Sequence, residues 1–288
     1  MKVSVILMIA LLAGGALAQS GRVGPSALGQ PTPGATAPTV KELFDEANGY
    51  VKAKLTEFEE KKVPFSESLL NRTKLEQRQL AARHATTAGA RTDVAGEDRY
   101  FLGMLHWIAE NLDGTADNLL QFVAQENAPA DRAQPARVII AVVLAKQKKL
   151  DDAEKVFAEY LSKEPRKLTE RSRVHAELAK AYQAQKAFEK MAPHAEAAYA
   201  ASKDLLQDAS SRPRGLDEIL DAGMLVFEAH RDLGNRDKAE SALEDMRVTG
   251  ATVNSRSLYY YAVDQKIKYL IDTGRKPVMK AGMAVVGD

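Results

Sequence analysis

The histidines are the residues of this sequence best suited to acid–base chemistry or metal binding, and each stands alone along the chain. None belongs to a His-Glu-x-x-His motif, and no two are four residues apart, the spacing that places two imidazoles on one helix face. The five are His84, His106, His175, His194 and His230. Isolated histidines in helices are usually hydrogen-bonded structural residues. We therefore predict no catalytic histidine and no metal site.

Other common reactive arrangements are also missing from the sequence. Cysteine is absent, which excludes disulfides, thiolate nucleophiles, thiolate zinc sites and iron–sulfur clusters. There is no Gly-x-x-x-x-Gly-Lys phosphate loop, no Gly-x-Gly-x-x-Gly after a strand and no Gly-x-Ser-x-Gly nucleophile turn. We expect no catalytic residue and no bound cofactor, and we predict that the chain is not an enzyme.

Neighbouring carboxylates occur near the expected starts of three helices. They are Glu97-Asp98, Asp151-Asp152 and Asp217-Glu218. Negative side chains at a helix N-terminus complement the helix dipole, so we interpret all three pairs as caps and solvated surface rather than as acid–base pairs.

Three further segments carry groups suited to contact with a partner or to modification. Three consecutive tyrosines, Tyr259–Tyr261, cannot all face one side of a helix, so at least one ring should project outward, either as a contact or as a cover for the end of the fold. The basic segment Arg212–Gly215 is expected to break a helix and either to suit an acidic peptide or to be a plain connection. The Asn-Arg-Thr acceptor Asn71–Thr73 falls inside a predicted helix. No residue is assigned to binding.

The composition narrows the class of partner. Of the 288 residues 45% are hydrophobic, enough for a sizeable core, and 40 basic residues nearly balance 39 acidic ones. A net charge of +1 gives no global field for nucleic acid or an anionic membrane. We therefore expect no nucleic-acid partner. A protein partner would be recognised by contacts at one place on the surface rather than by the overall charge.

The N-terminal residues have the pattern of an export signal. Lys2 precedes an apolar run, Val3–Leu12, and Ala16–Ala18 forms a small-x-small cleavage site, so residues 1–18 are predicted to be removed. The protein would then lie outside the cytoplasm, periplasmic or secreted, and would associate with a membrane only if the signal stayed uncleaved. Residues 19–38 are rich in proline, glycine and other small residues and are predicted to form a flexible linker.

From residue 39 onward the apolar residues recur at helical spacing, without sustained alternation of the kind found in strands. We predict eleven helices in a domain over residues 39–273, paired by short turns, with no β-sheet and a tail of residues 274–288 without clear period. The predicted spans are approximately 39–60, 66–88, 96–111, a fourth helix that follows a turn at residues 113–115 and ends before Pro129, and then 131–147, 151–163, 169–185, 190–207, 216–232, 235–248 and 254–272. Ser66 is the expected N-cap of the second helix. The fold class is therefore all-α, an array of helical hairpins.

Small and aromatic residues in the central hairpins resemble the tetratricopeptide repeat. Ala141 and Leu144 in one helix, Ala153 and Phe157 in the next, and Pro165 after it have the spacing of that motif, in which small residues let paired helices approach closely. The next two units match in part. Their matching residues are Leu178, Ala179, Tyr182, Ala195 and Tyr199, then Leu233, Gly234, Asn235, Ala239 and Leu243.

The resemblance covers about residues 131–250 and is that of a degenerate array. Phe227 replaces a small residue, no proline closes the third unit, and the distance from Ala153 to Ala239 exceeds two periods of the motif. It implies a solenoid whose first helices form a concave surface for a protein or peptide.

A weaker resemblance concerns the order of segments along the chain. A signal, a proline-rich linker, a helical domain and a short Lys276-Pro277 segment are similar to the helical region that precedes the catalytic domain of some bacterial extracytoplasmic thioredoxin-like thiol-disulfide oxidoreductases. The chain has no Cys-x-x-Cys, so this resemblance implies an accessory, non-catalytic domain.

We expect a protein- or peptide-binding scaffold. The alternatives are that accessory domain of a redox system, or an enzyme whose dispersed site the sequence does not reveal. An open groove would favour binding, and a closed pocket lined by converging polar groups would favour an enzyme.

Overall fold

The structure is a computed structural model that describes residues 37–274 and the backbone of residues 277–280 and 283–286. The predicted signal and residues 19–36 of the predicted linker lie outside the described residues. The helices belong to one compact unit, Val40–Asp288. In chain order they are α1 Val40–Glu60, α2 Glu67–Gly89, α3 Glu97–Ile108, α4 Leu112–Val123, α5 Ala130–Lys146, α6 Leu150–Leu161, α7 Leu168–Ala184, α8 Phe188–Leu205, α9 Arg212–Asp232, α10 Arg236–Thr252 and α11 Arg256–Asp272.

The helices pack as successive antiparallel pairs, which confirms the predicted all-α array of helical hairpins. We call α1, α3, α5, α7 and α9 the first helices and α2, α4, α6, α8 and α10 the second helices of these pairs. Each first helix packs on its own second helix, and each second helix also contacts the first helix of the next pair. First helices also contact one another directly, α1 with α3, α5 with α7, and α7 with α9.

The core is densest around α5, because its sequence is apolar in every direction. Residues Val138–Ala145 are all buried, so neighbouring helices cover α5 on every side. The small residues expected at the approach of α5 and α6 are fully covered, with Ala141 and Ala153 each 0% exposed. Phe157 is 2% exposed, as its place in the repeat pattern predicted.

Side-chain caps start α2, α4 and α11, and the starts of α4 and α9 differ from the prediction. Ser66 caps α2 as expected, because its side chain accepts a hydrogen bond from the Leu69 amide at 3.1 Å. The predicted turn at residues 113–115 is instead the first turn of α4, which Asn111 caps by accepting from the Gly114 amide at 3.0 Å. The segment Arg212–Gly215 opens α9 rather than breaking a helix, since proline is well tolerated in a first helical turn.

At the C-terminal end α11 packs closely on α10 and covers it. A Cβ at Gly250 would lie 2.6 Å from the Tyr259 backbone nitrogen, so this approach requires glycine.

After α11 the chain forms an antiparallel β-hairpin of β1 Pro277–Lys280 and β2 Met283–Val286, which the sequence did not predict. Each strand has only four residues, too few to show a reliable alternating pattern. None of the described helices has the length and apolar character that crossing a membrane requires.

Candidate functional site

Four arginines in the described part of the chain lie over aromatic rings, and they differ in their carboxylate partners. Arg132 is ion-paired with Glu97, Arg231 with Asp232, and Arg247 with Glu244. The fourth, Arg173, has its guanidinium carbon 5.2 Å from the centre of the Trp107 ring. No carboxylate of the described residues lies within ion-pair distance of it. It is therefore the exception among otherwise similar side chains.

The surroundings of Arg173 are partly closed to water. It lies on α7 and reaches Trp107 on α3, and both side chains are half-buried. Burial lowers the pKa of the Arg173 guanidinium from its usual value; Arg214 adds to the lowering, while Glu177 and Glu218 oppose it. The group stays charged at neutral pH because the pKa of a guanidinium is so high. A cation is thus held in a partly desolvated place without a partner that neutralises it.

The acidic groups near Arg173 are already bound elsewhere. Glu218 accepts hydrogen bonds from Ser172 Oγ at 2.9 Å and from Arg214 Nε at 2.7 Å. Arg214 also donates to the Thr169 carbonyl at 3.0 Å, so it joins α9 to α7. Arg214, which belongs to the basic segment considered for an acidic peptide, is therefore bonded within the protein.

Trp107, Lys146, Arg173 and Glu177 come from α3, α5 and α7, and we call this set the first-helix face. Glu177 lies one turn after Arg173 on α7 and is 3.9 Å from Lys146 of α5. An indole, two cations and one carboxylate from three successive pairs thus share one surface. Such a set can bind an anion or an extended chain, but it contains no nucleophile activated by a base.

A second group of polar residues lies where α6, α7 and α8 meet. We call Glu154, His175, Tyr182 and His194 the histidine cluster. Glu154 Oε1 accepts from Tyr182 Oη at 3.0 Å and from His194 Nε2 at 2.8 Å, and His194 Nδ1 is 3.0 Å from His175 Nδ1. The Phe157 ring meets the His175 ring edge-on at 4.8 Å. Burial, together with the Glu154 hydrogen bond, raises the pKa of Tyr182 to about 12.

One proton, rather than a metal ion, fits between the two imidazoles. Their ring centres are 5.2 Å apart, so with 3.0 Å between the nitrogens the two nitrogens lie almost on the line joining the centres. Two imidazoles bound to one metal would instead meet at an angle. Because Glu154 accepts from His194 Nε2, His194 Nδ1 is left to share a hydrogen with His175. Burial first, and then His194, lowers the pKa of His175 to about 4.

Sequence analysis missed this cluster because its two histidines are 19 residues apart. The available signal was their position on the two helices of one predicted hairpin, α7 and α8. The other three histidines also have polar partners. His84 contacts Glu46 at 3.0 Å, His106 contacts Asn111 at 3.2 Å, and His230 contacts Glu196 at 2.8 Å. Within the described residues no group of three or more histidine or acidic side chains is arranged to hold a metal ion.

A shallow groove runs along α8 and is open to solvent. Its volume is about 240 Å³, below the usual range for small-molecule pockets. Its lining residues are Glu196, Tyr199, Ala200, Lys203, Asp204 and Val226. Lys203 is tied to Asp245 of α10 at 2.8 Å, so one charge at the rim of the groove is neutralised within the protein. The groove has the open form that favours contact with another protein over enclosure of a substrate.

The three consecutive tyrosines of α11 point in different directions, as they must on a helix. Tyr260 is 66% and Tyr261 39% exposed, while Tyr259 packs beside Arg247. The prediction that at least one ring projects outward is confirmed.

The Asn71–Thr73 acceptor lies within α2, where Thr73 is buried and donates to the Leu69 carbonyl at 2.8 Å.

Two of the three carboxylate pairs lie where they were expected. Glu97-Asp98 and Asp151-Asp152 occupy the first turns of α3 and α6. Asp217-Glu218 lies in the second turn of α9, because that helix starts at Arg212, and Glu218 is bonded internally rather than solvated. The interpretation of this pair as cap and surface was therefore wrong for Glu218.

No protein-family model matches the chain, and no curated protein matches it in sequence. Functional inference accordingly rests on the first-helix face, the histidine cluster and the groove.

Proposed function

We propose that the protein is a binding or scaffolding module, of the type that resembles a tetratricopeptide-repeat array, and that it engages a protein or peptide partner outside the cytoplasm. The observation that carries this proposal is the first-helix face. Side chains from α3, α5 and α7 come together there, and Arg173 has no internal carboxylate partner. Stacked helix pairs present such a face to an extended partner, and an unneutralised cation on it provides a contact that the protein does not make for itself.

The enzyme alternative would have to use the histidine cluster, the described group best suited to acid–base chemistry. The hydrogen bonds of that cluster run between its own members, and Phe157 packs against His175. This arrangement supports a role in holding α6, α7 and α8 together. The accessory-domain alternative is compatible with the first-helix face and differs from the main proposal only in the identity of the partner.

Site-specific photo-crosslinking tests the proposal. A photoreactive amino acid is placed at Glu177 on the first-helix face or, as the matched control, at Lys155, an exposed residue of the second helix α6. Both proteins are produced with their signal and irradiated in their own cells. We expect one discrete protein adduct from position 177 and none from position 155. Equal adducts from both positions, or none from position 177, would contradict a partner on this face.

A further inference from the structure

The geometry points to Arg173 as the receptor for a carboxylate on an extended peptide segment, with the neighbouring part of that peptide packing on the indole of Trp107. This inference rests on the proposed function and names the chemistry of the partner. It depends on the lack of an ion-paired carboxylate among the described residues, which distinguishes Arg173 from Arg132, Arg231 and Arg247.

The contact with Trp107 leaves the N–H groups of Arg173 available. With its guanidinium carbon 5.2 Å from the ring centre, Arg173 makes a cation–π contact, which does not supply its N–H groups with an oxygen acceptor. The planar fork of a guanidinium matches the two oxygens of a carboxylate. None of those N–H groups has a hydrogen-bond acceptor among the described residues, although the side chain is half-buried. An incoming carboxylate would therefore satisfy donors that are already positioned.

The net charge around Arg173 favours a single negative charge. Arg214 is bonded to Glu218 and to the Thr169 carbonyl, so it is not a second free guanidinium. Glu177 and Glu218 both lie close enough to Arg173 to affect its pKa. Arg214 and Lys146 offset these two carboxylates, so about one positive charge remains, that of Arg173. A carboxylate would neutralise it, whereas a dianionic phosphate would leave an excess negative charge. We therefore commit to a peptide carboxylate, and phosphate is an outcome of the test.

The site contains its own reporter, because Trp107 is the single tryptophan of the chain. The probe is a mixture of short, tryptophan-free peptides that each carry one glutamate and have amidated C-termini. The matched mixture has glutamine in place of glutamate. Two further arms use the glutamine mixture with a free C-terminal carboxylate, and inorganic phosphate. Fluorescence of Trp107 in the protein without residues 1–18 is recorded through each titration.

We expect a saturable change in Trp107 emission with the glutamate mixture. Binding of the amidated glutamine peptides should be at least about tenfold weaker, since tenfold is about the contribution of one charge-assisted hydrogen bond. A response to the free C-terminus would assign the carboxylate to the peptide end rather than to a side chain. Arg173→Gln should abolish the charge preference. Arg231→Gln, which removes an arginine that also lies over a ring but has its own carboxylate, should leave it unchanged.

Several results would overturn the inference. They are equal binding of the glutamate and amidated glutamine mixtures, an unchanged preference for glutamate peptides in Arg173→Gln, a response to phosphate without a response to the peptides, and no response to any peptide.

The experiments distinguish failure of this inference from failure of the proposed function. A crosslink from position 177 without a preference for glutamate peptides would support a partner on the first-helix face but contradict recognition of a carboxylate. Absence of that crosslink would contradict the partner itself.

Discussion

Arg173 and His175 are two residues apart in α7 and lie in contrasting surroundings. His175 shares a hydrogen with His194, which in turn is held by Glu154, so the polar atoms on that side of α7 bind each other. Arg173, on the other side, lies over the Trp107 ring but has no carboxylate partner among the described residues. Internally bonded polar groups stabilise a fold, while a partly desolvated charge without a partner tends to destabilise it. The difference supports a structural role for one side of the helix and the proposed recognition role for the other.

The largest expected effect is a loss of stability in acid that originates in the histidine cluster. The pKa of His175 is about 4 in the folded protein and near 6.5 when unfolded, so the unfolded chain binds more protons between these values. The stabilisation is complete above pH 6.5 and is lost as the pH falls towards 4. We expect the free energy of unfolding to fall by up to about 3 kcal/mol over this range, measured by urea unfolding.

Two variants separate this effect from general acid sensitivity. His175→Phe should be less stable at neutral pH but should show a flatter dependence on pH. His84→Gln, which changes a histidine with a single carboxylate contact between α1 and α2, should keep the full dependence. Glu154, His194 and Arg171 all affect the pKa of His175. The measurement that decides is therefore the slope of the free energy of unfolding against pH, rather than the stability at any one pH. An unchanged slope in His175→Phe would show that the cluster does not control acid stability.

A smaller effect is expected from the carboxylate that joins the cluster. Glu154 accepts from both Tyr182 and His194, so Glu154→Gln weakens two charge-assisted hydrogen bonds. Because the Glu154 side chain is 38% exposed, solvent reduces the cost, and we expect about 1 kcal/mol. The control is Glu46→Gln, which loses only the contact with His84 and should change stability by less than about 0.5 kcal/mol. Equal losses from the two variants would contradict the cluster as a stabilising unit.

The smallest expected effect is at Arg173, where stability should hardly change. Arg173→Met loses the contact with Trp107 but also removes a partly desolvated charge, so we expect a change within about 0.5 kcal/mol. Arg247→Met should cost about 1 kcal/mol, because Arg247 pairs with Glu244, whose pKa it and Lys266 lower to about 2. Thermal unfolding of the two variants gives the comparison. A loss at Arg173 equal to that at Arg247 would indicate a structural role for Arg173.

Most of the fold was predictable because helical periodicity and capping act locally. The burial of Ala141, Ala153 and Phe157 followed from residue size and spacing, and Ser66 was recognisable as a cap. The start of α9 was missed because Pro213 was interpreted as a helix breaker rather than as a first-turn residue. The β-hairpin was missed because its strands are too short to establish a period.

The candidate sites were not predictable in the same way, because their members come from different hairpins. His175 and His194 meet only once the register of α7 against α8 is fixed. Trp107 and Arg173, which come from α3 and α7, meet only when these helices take their places in the folded array. Arg173 resembles every other helical arginine in the sequence, and the lack of a carboxylate partner that distinguishes it is a property of the packed structure.

Quenching of Trp107 fluorescence by ions tests most directly whether Arg173 is an accessible, unneutralised cation. Quenching by iodide and by caesium is compared at equal ionic strength, because a local positive charge concentrates anions and repels cations. Each value is divided by the quenching of a neutral tryptophan amide by the same ion, because iodide is intrinsically the stronger quencher. We predict that the normalised quenching of Trp107 is greater for iodide than for caesium, that Arg173→Gln removes this difference, and that Arg231→Gln preserves it. Equal normalised quenching by the two ions in the unmodified protein, or a normalised difference that persists in Arg173→Gln, would contradict the account.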